Sequence, residues 1–155
     1  MPKISIEEMA AYAKEVPRIA SWFYDEWRPL YGNQSLTSVQ RRIESWLTGD
    51  RIPTALVAVC DGKVIGTAAL KEKELEHVSY SPWLAGVFVL PEFRCRGVGA
   101  LLIEAAEKKA KSLGVLRLFL YTPTSENYYA NLGWKTVERH ALASGPITIM
   151  AKELR

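Results

Sequence analysis

Leu84-Ala-Gly-Val-Phe-Val-Leu90-Pro-Glu-Phe-Arg94-Cys-Arg-Gly97-Val-Gly99 decides the fold, because a strand runs into it and a helix runs out of it. Leu84 to Leu90 is nearly all apolar and too short for a buried helix, so it reads as a central strand ended by Pro91. Downstream, Val98, Leu101, Leu102, Ala105, Ala106, Ala110 and Leu113 recur at helical spacing. Two glycines and two arginines fall where that helix opens. First-turn N–H groups have no intrahelical partner, and the macrodipole favours an anion there. Gly97 and Gly99 carry no Cβ to hold a ligand off the backbone, while Arg94 and Arg96 add positive charge. The segment reads as a docking place for a phosphorylated ligand.

Working outward, Ala55–Cys60 and Lys63–Leu70 flank Asp61-Gly62, a pair favoured in type I′ turns, and form a hairpin. Lys71 to Ser79 is charged and without period, a strand end followed by a loop. Val115–Tyr121 is a second apolar strand; it follows the crossover helix, so it lies parallel to the strand ending near Leu90. Thr124 to Asn131 is a short helix, Leu132-Gly133-Trp134 a turn, and Thr136–Leu142 with Ile147–Lys152 a last hairpin.

The first third reads as helical. Ser5-Ile-Glu-Glu8 fits a capping box ahead of Met9 and Tyr12. Val16-Pro17 opens a helix with Ile19, Ala20, Phe23, Trp27 and Leu30 on one face, stopped by Gly32-Asn33. Another runs from about Thr37 to Thr48, with Gly49 as its C-cap. The fold class is therefore α/β of the α+β type: a mixed, mostly antiparallel twisted sheet with one central βαβ unit and helices on both faces.

Hydrophobic content of 48% and charged content of 24% over 155 residues describe one ordinary globular domain, residues 1–155. The net charge of +3 comes from basic residues scattered among acidic ones, which argues against a nucleic-acid-binding module. Cys60 lies in a strand pattern and Cys95 in the loop, so no disulfide framework is implied, and Cys95 reads as a small loop residue. No apolar run approaches membrane-spanning length, and the polar N-terminus is unlike a signal peptide. A cytoplasmic protein without membrane contact is expected.

Two phosphate motifs fail. The dinucleotide fingerprint needs a third glycine where Leu102 stands, and the Walker A pattern needs Gly-Lys-Ser/Thr, which does not occur. What remains is a resemblance. Val87-Phe-Val-Leu-Pro91-Glu-Phe-Arg94-Cys-Arg-Gly97-Val-Gly99 resembles the acetyl-CoA motif of the GNAT superfamily of N-acetyltransferases. Tyr128-Tyr129-Ala-Asn-Leu132-Gly133-Trp134 resembles that family's Tyr-x-x-x-Gly-Phe element.

The resemblance implies acetyl-CoA as co-substrate, no metal, and transfer of an acetyl group to an amine by direct attack on the thioester. It implies that the backbone of Val87, Phe88 and Val89 bonds the pantetheine arm. Arg94, Cys95, Arg96, Gly97, Val98 and Gly99 would hold the pyrophosphate. Tyr129 would protonate the departing thiolate, and a backbone N–H near Val89 would face the oxyanion. The family's cofactor-contacting asparagine has no clean counterpart, since Asn127 is too near Tyr129; Ser125 or Thr122 takes its place. Tyr121 stands about where some members carry a glutamate base.

For the base, Glu72, Glu74, Glu76, His77 or an ordered water are candidates, each side chain also explicable as part of a solvated charged loop. His140 reads as structural or exposed, and Tyr128 as packing. Trp22, Phe23, Trp27, Tyr31 and Trp83 are a large aromatic load for the acceptor side, with core packing the default for Trp27. The expected acceptor is a small-molecule amine. A protein N-terminus or lysine, and a non-catalytic acyl-CoA sensor, are the alternatives, and assembly as a homodimer is compatible with the sequence.

Overall fold

Ile4 and Ile6 alternate with polar neighbours, and Ile4–Glu8 forms a strand, β1. It lies antiparallel beside β2 (Thr54–Cys60), with Ile4 opposite Cys60 and Glu8 opposite Leu56. The capping box expected at Ser5 to Glu8 does not form; the Ser5 hydroxyl donates to Glu7 Oε2 at 2.9 Å instead. The reason is tertiary. Ile4 and Ile6 pack on the core from an extended chain, and a hydroxyl cap contributes only about 1 kcal/mol against that. The computed structural model describes residues 3–155.

After a 3-10 segment, Met9–Glu15, helix α1 (Val16–Tyr31) begins with Pro17 in its first turn and ends at Gly32, φ 57°. Helix α2 (Leu36–Glu44) is capped by Ser35 Oγ, which accepts from the Ser38 N–H at 3.1 Å. It stops at Glu44 rather than near Thr48. The N–H groups of Ser45, Trp46 and Leu47 turn to carbonyls three residues back, and the tightened chain buries Trp46.

Asp61 (φ 52°) and Gly62 (φ 77°) make the expected I′-type turn from β2 into β3 (Lys63–Lys71). β2 is buried throughout because both its faces are covered. Ala55, Val57 and Val59 pack with Phe23, Val39 and Ile43 of α1 and α2. Leu56, Ala58 and Cys60 pack on the other side with Leu102, Ile103 and Ala106 of the crossover helix. That helix, α3 (Val98–Ser112), joins β4 (Trp83–Val89) to the parallel strand β5 (Arg117–Thr122). A short helix α4 (Glu126–Asn131) leads to the hairpin of β6 (Lys135–Leu142) and β7 (Gly145–Glu153). The seven strands form one sheet in the order β1-β2-β3-β4-β5-β7-β6, antiparallel everywhere except β4–β5. This is the mixed sheet with one βαβ unit and helices on both faces that the sequence implies.

The β4–β5 junction positions the site. It holds one registered pair, Trp83 with Phe119, supported by the Phe119 N–H donating to Pro82 O at 3.0 Å. Beyond that pair the strands part. On its other side β4 matches β3 with Ala85 opposite Ala69 and Phe88 opposite Thr67, so Gly86 and Val87 share one partner position. Gly86 adopts φ 59° at this bulge, and Thr67 Oγ1 donates to its carbonyl at 2.8 Å. An extra residue in β4 bends the strand away from β5 and leaves its edge unpaired at the centre of the sheet.

Candidate active site

The α3 N-terminus is open. Gly97 is its N-cap at φ 82°, no side chain caps the helix, and the first intrahelical bond is Leu101 N–H to Gly97 O at 3.1 Å. The N–H groups of Val98, Gly99 and Ala100 therefore have no intrahelical partner. Cys95 (φ 62°) and Gly97 both take left-handed backbone, a turn geometry that gathers successive N–H groups into an anion-binding concavity. A Cβ on Gly97 would meet nothing within 4 Å, whereas one on Gly99 would lie 3.3 Å from Tyr128 Oη. Tyr128 thus leans from α4 over the first turn of α3.

The two loop arginines differ. Arg94 folds back on β4: its Nε donates to Val89 O at 2.8 Å, and its Nη2 lies 3.7 Å from Glu26 Oε1 of α1. Arg96 is exposed, its guanidinium 5.9 Å from the Phe93 ring centre. Cys95 is exposed as well. Arg94 therefore ties the end of β4 to α1, while Arg96 is the guanidinium free to swing over the loop.

Below the gap between β4 and β5 lies a cavity of about 600 Å³. Val87 lines it; Phe88 is directed to α1, where it stacks on Trp22 at 5.4 Å, and Val89 packs in the core under α3. Phe23, Trp27, Tyr31 and Trp46 form the aromatic wall. Of the aromatic residues expected around an acceptor, Trp83 is instead fully buried beneath the loop carrying Leu75. Trp22 supports Phe88 and is outside the lining.

Tyr129 and Ser125 reach the same cavity from α4 and its N-terminus. Burial pushes the Tyr129 phenol up to about 12, with Tyr128 adding to the shift. It keeps its proton at neutral pH. Thr122 Oγ1 accepts from the Ser125 N–H at 2.9 Å and so fixes the entry to α4.

Among Glu72, Glu74, Glu76 and His77, Glu74 lines the cavity, paired with Lys71 Nζ at 3.0 Å. Glu72 meets Ser81 Oγ at 3.4 Å, and Glu76 and His77 are exposed. Three charged lining groups escaped the sequence reading: Glu26, Arg42 and Lys71. Glu26 had a signal, a carboxylate directly beside Trp27 on the aromatic helix. Arg42 and Lys71 had none, since only the packing of α2 and the end of β3 turns them inward. Among the described residues no three His, Cys, Asp or Glu side chains gather as a metal site, and no helix is long and apolar enough to cross a membrane.

The arrangement can seat an elongated ligand, its anionic part at the α3 N-terminus, an extended arm along the unpaired edge of β4, and its tip in the cavity beside Tyr129.

Comparisons with known proteins bear on family and fold. A model of the acetyltransferase (GNAT) family matches residues 16–134. An amino-acid acetyltransferase of Mannheimia succiniciproducens is 32% identical over 75 residues, 48% of this chain and 16% of that protein. An uncharacterized N-acetyltransferase of Chlorobaculum tepidum is 30% identical over 101 residues, 65% of this chain and 61% of that one. The chain thus spans a small part of the first relative and under two thirds of the second. The crystal structure of an aminoglycoside 6'-N-acetyltransferase complexed with coenzyme A superposes with a TM-score of 0.79 at 18% identity, covering 97% of each chain. At that identity the likeness is one of fold.

Proposed function

The chain belongs to the GNAT acetyltransferase family, and from that footing we propose that residues 1–155 form an acetyl-CoA-dependent N-acetyltransferase acting on the primary amine of a small molecule. One conjunction carries the reading: an uncapped helix N-terminus stands at one end of an unpaired strand edge, and a cavity lined by a protonated tyrosine lies beside that edge. The parts suit acetyl-CoA. The N–H groups of Val98 and Gly99 with Arg96 would take the pyrophosphate, and the edge of Val87 to Val89 the pantetheine amides. Ser125 flanks the arm.

Acetyl-CoA supplies the activated thioester: the amine nitrogen bonds to its carbonyl carbon, the C–S bond breaks, and the electron pair leaves on sulfur. Tyr129 gives its proton to that sulfur and recovers one from the nitrogen, so the exchange of an acetyl group for a proton balances. A backbone N–H near Val89 would steady the developing oxyanion. Arg94, bound to Val89 O, holds the end of that strand in place. Glu74 and Glu26 are the carboxylates that line the cavity; either, already beside a cation, would take the amine's first proton through water. The aromatic wall makes a pocket rather than an open groove, which supports a small acceptor over a peptide.

The test is to mix the purified protein with acetyl-CoA and a panel of amines and follow release of the CoA thiol. Turnover is expected, and Tyr129→Phe should lower kcat about 100-fold or more while acetyl-CoA still binds. Tight CoA binding without transfer to any amine would replace the enzyme by an acyl-CoA sensor.

A further inference from the structure

Under the C-terminal end of α1, five polar side chains meet on the cavity wall: Tyr31, Arg42, Lys71, Glu74 and Tyr121. Their charges do not cancel. Lys71 and Glu74 neutralise each other at 3.0 Å, each side chain only 19% exposed. Arg42 has no carboxylate partner among the described residues. Its guanidinium donates to the neutral Gln34 Oε1 and stands 5.7 Å from the Tyr31 ring centre. Burial raises the Tyr31 phenol against the lowering pull of Arg42, with Glu74 adding to the rise, and burial and Glu74 raise Tyr121, so both keep their protons. The wall thus offers one cation in excess and two hydroxyl donors, in a half-buried place where a guanidinium facing neutral groups is incompletely satisfied. A planar carboxylate is the ligand that completes such a fork. Glu26, the other lining carboxylate, faces Arg94 at 3.7 Å, so neither acid is left over for a polycation.

We propose that the acceptor is an amino acid or a molecule of that size. Its carboxylate is held by Arg42 with the Tyr31 and Tyr121 hydroxyls, its side chain lies against Phe23, Trp27 and Trp46, and its amine is directed to the β4–β5 gap. The inference rests on the acetyltransferase reading for the fate of the amine, but not for the binding of the carboxylate. A polycationic amino sugar would meet an uncompensated guanidinium at the same wall and is disfavoured.

The experiment compares the common amino acids with their methyl esters, with kanamycin as the polycation, in both turnover and binding. Binding is read by calorimetry with CoA present. Esterification lowers the amine pKa and makes the nitrogen more available, so preference for the free acid cannot come from the amine. For at least one amino acid, kcat/KM for the acid is expected to exceed that for the ester by roughly tenfold or more, the value of one charge-assisted hydrogen bond. Arg42→Gln should shrink that ratio severalfold, and Arg42→Lys should restore part of it. Esters or kanamycin used as well as the acids, or a ratio unmoved in Arg42→Gln, would overturn the proposal. If no amine is acetylated, the catalytic reading fails by itself and the calorimetry decides: acids bound tighter than esters, and less so in Arg42→Gln, uphold the carboxylate site; equal binding removes it.

Discussion

Tyr129 sits where its phenolate is disfavoured, and the sign of that effect on stability follows directly. An unfolded tyrosine ionises near 10.0, whereas burial moves the folded group to about 12. Between these values the unfolded chain has released a proton that the folded chain keeps, so rising pH favours unfolding; below the lower value the contribution is complete. Tyr121, also raised to about 12, adds to the same window. The midpoint of thermal unfolding should therefore fall as the pH is taken from 10 towards 12, and less steeply in Tyr129→Phe. Identical slopes for the two proteins would show that the phenol is not held in an apolar setting. Arg94 makes a different point at this scale. Its place in the glycine loop is legible in the sequence as a phosphate-facing charge. That its Nε also donates to Val89 O depends on how the end of β4 turns, which no local pattern encodes.

Among the elements, Gly66 shows how closely β3, β4 and α3 approach. A Cβ there would lie 2.8 Å from Phe88 O and 3.0 Å from Leu102 Cδ1. Leu102 could shift; a backbone carbonyl in a paired strand cannot do so without moving the strand. Gly66→Ala should destabilise by about 1–3 kcal/mol through overpacking, whereas Gly49→Ala, with nothing within 4 Å of its Cβ, should stay within about 0.5 kcal/mol. Denaturant midpoints of the two variants measure the difference. Elements set by short-range chemistry were readable in advance: the Asp61-Gly62 turn, Pro17 in the first turn of α1, and the glycine-rich start of α3. Those set from a distance were not. Ile4–Glu8 carries two rival local patterns, a capping box and a period-2 alternation. Only the presence of β2, more than forty residues along the chain, makes the second prevail. The end of α2 was missed likewise, because burial of Trp46 stops the helix before Gly49 does.

Across the whole molecule, the donor side of the site was legible and the acceptor side was not. The donor side uses one contiguous stretch whose glycines and helix start are local features. The acceptor wall is assembled from α1, α2, the end of β3, the loop with Glu74, and β5. Its charge balance emerges only when those segments are brought together. The same assembly bears on how the protein opens. The backbone of β1 to β4 and that of β5, β7 and β6 are stitched by a single registered pair, Trp83 with Phe119. What otherwise joins the halves is side-chain packing: beneath α3, Leu118, Leu120 and Met150 share a cluster with Leu56 and Ile65, and elsewhere Phe119, Ile149 and Ala151 share one with Leu75 and Trp83. The sheet is continuous by strand order, but its backbone pairing is thinnest at its centre. In native-state hydrogen exchange the two halves should behave as separate cooperative units, with β5–β7–β6 opening apart from β1–β4. Addition of CoA should merge them into one unit, slowing exchange on both sides of the seam at once. A ligand that bonds the edge of β4 and packs beside β5 does for this sheet what a missing strand would do. Binding would then convert two mechanically separable halves into a single body at the moment the reactive groups must hold still.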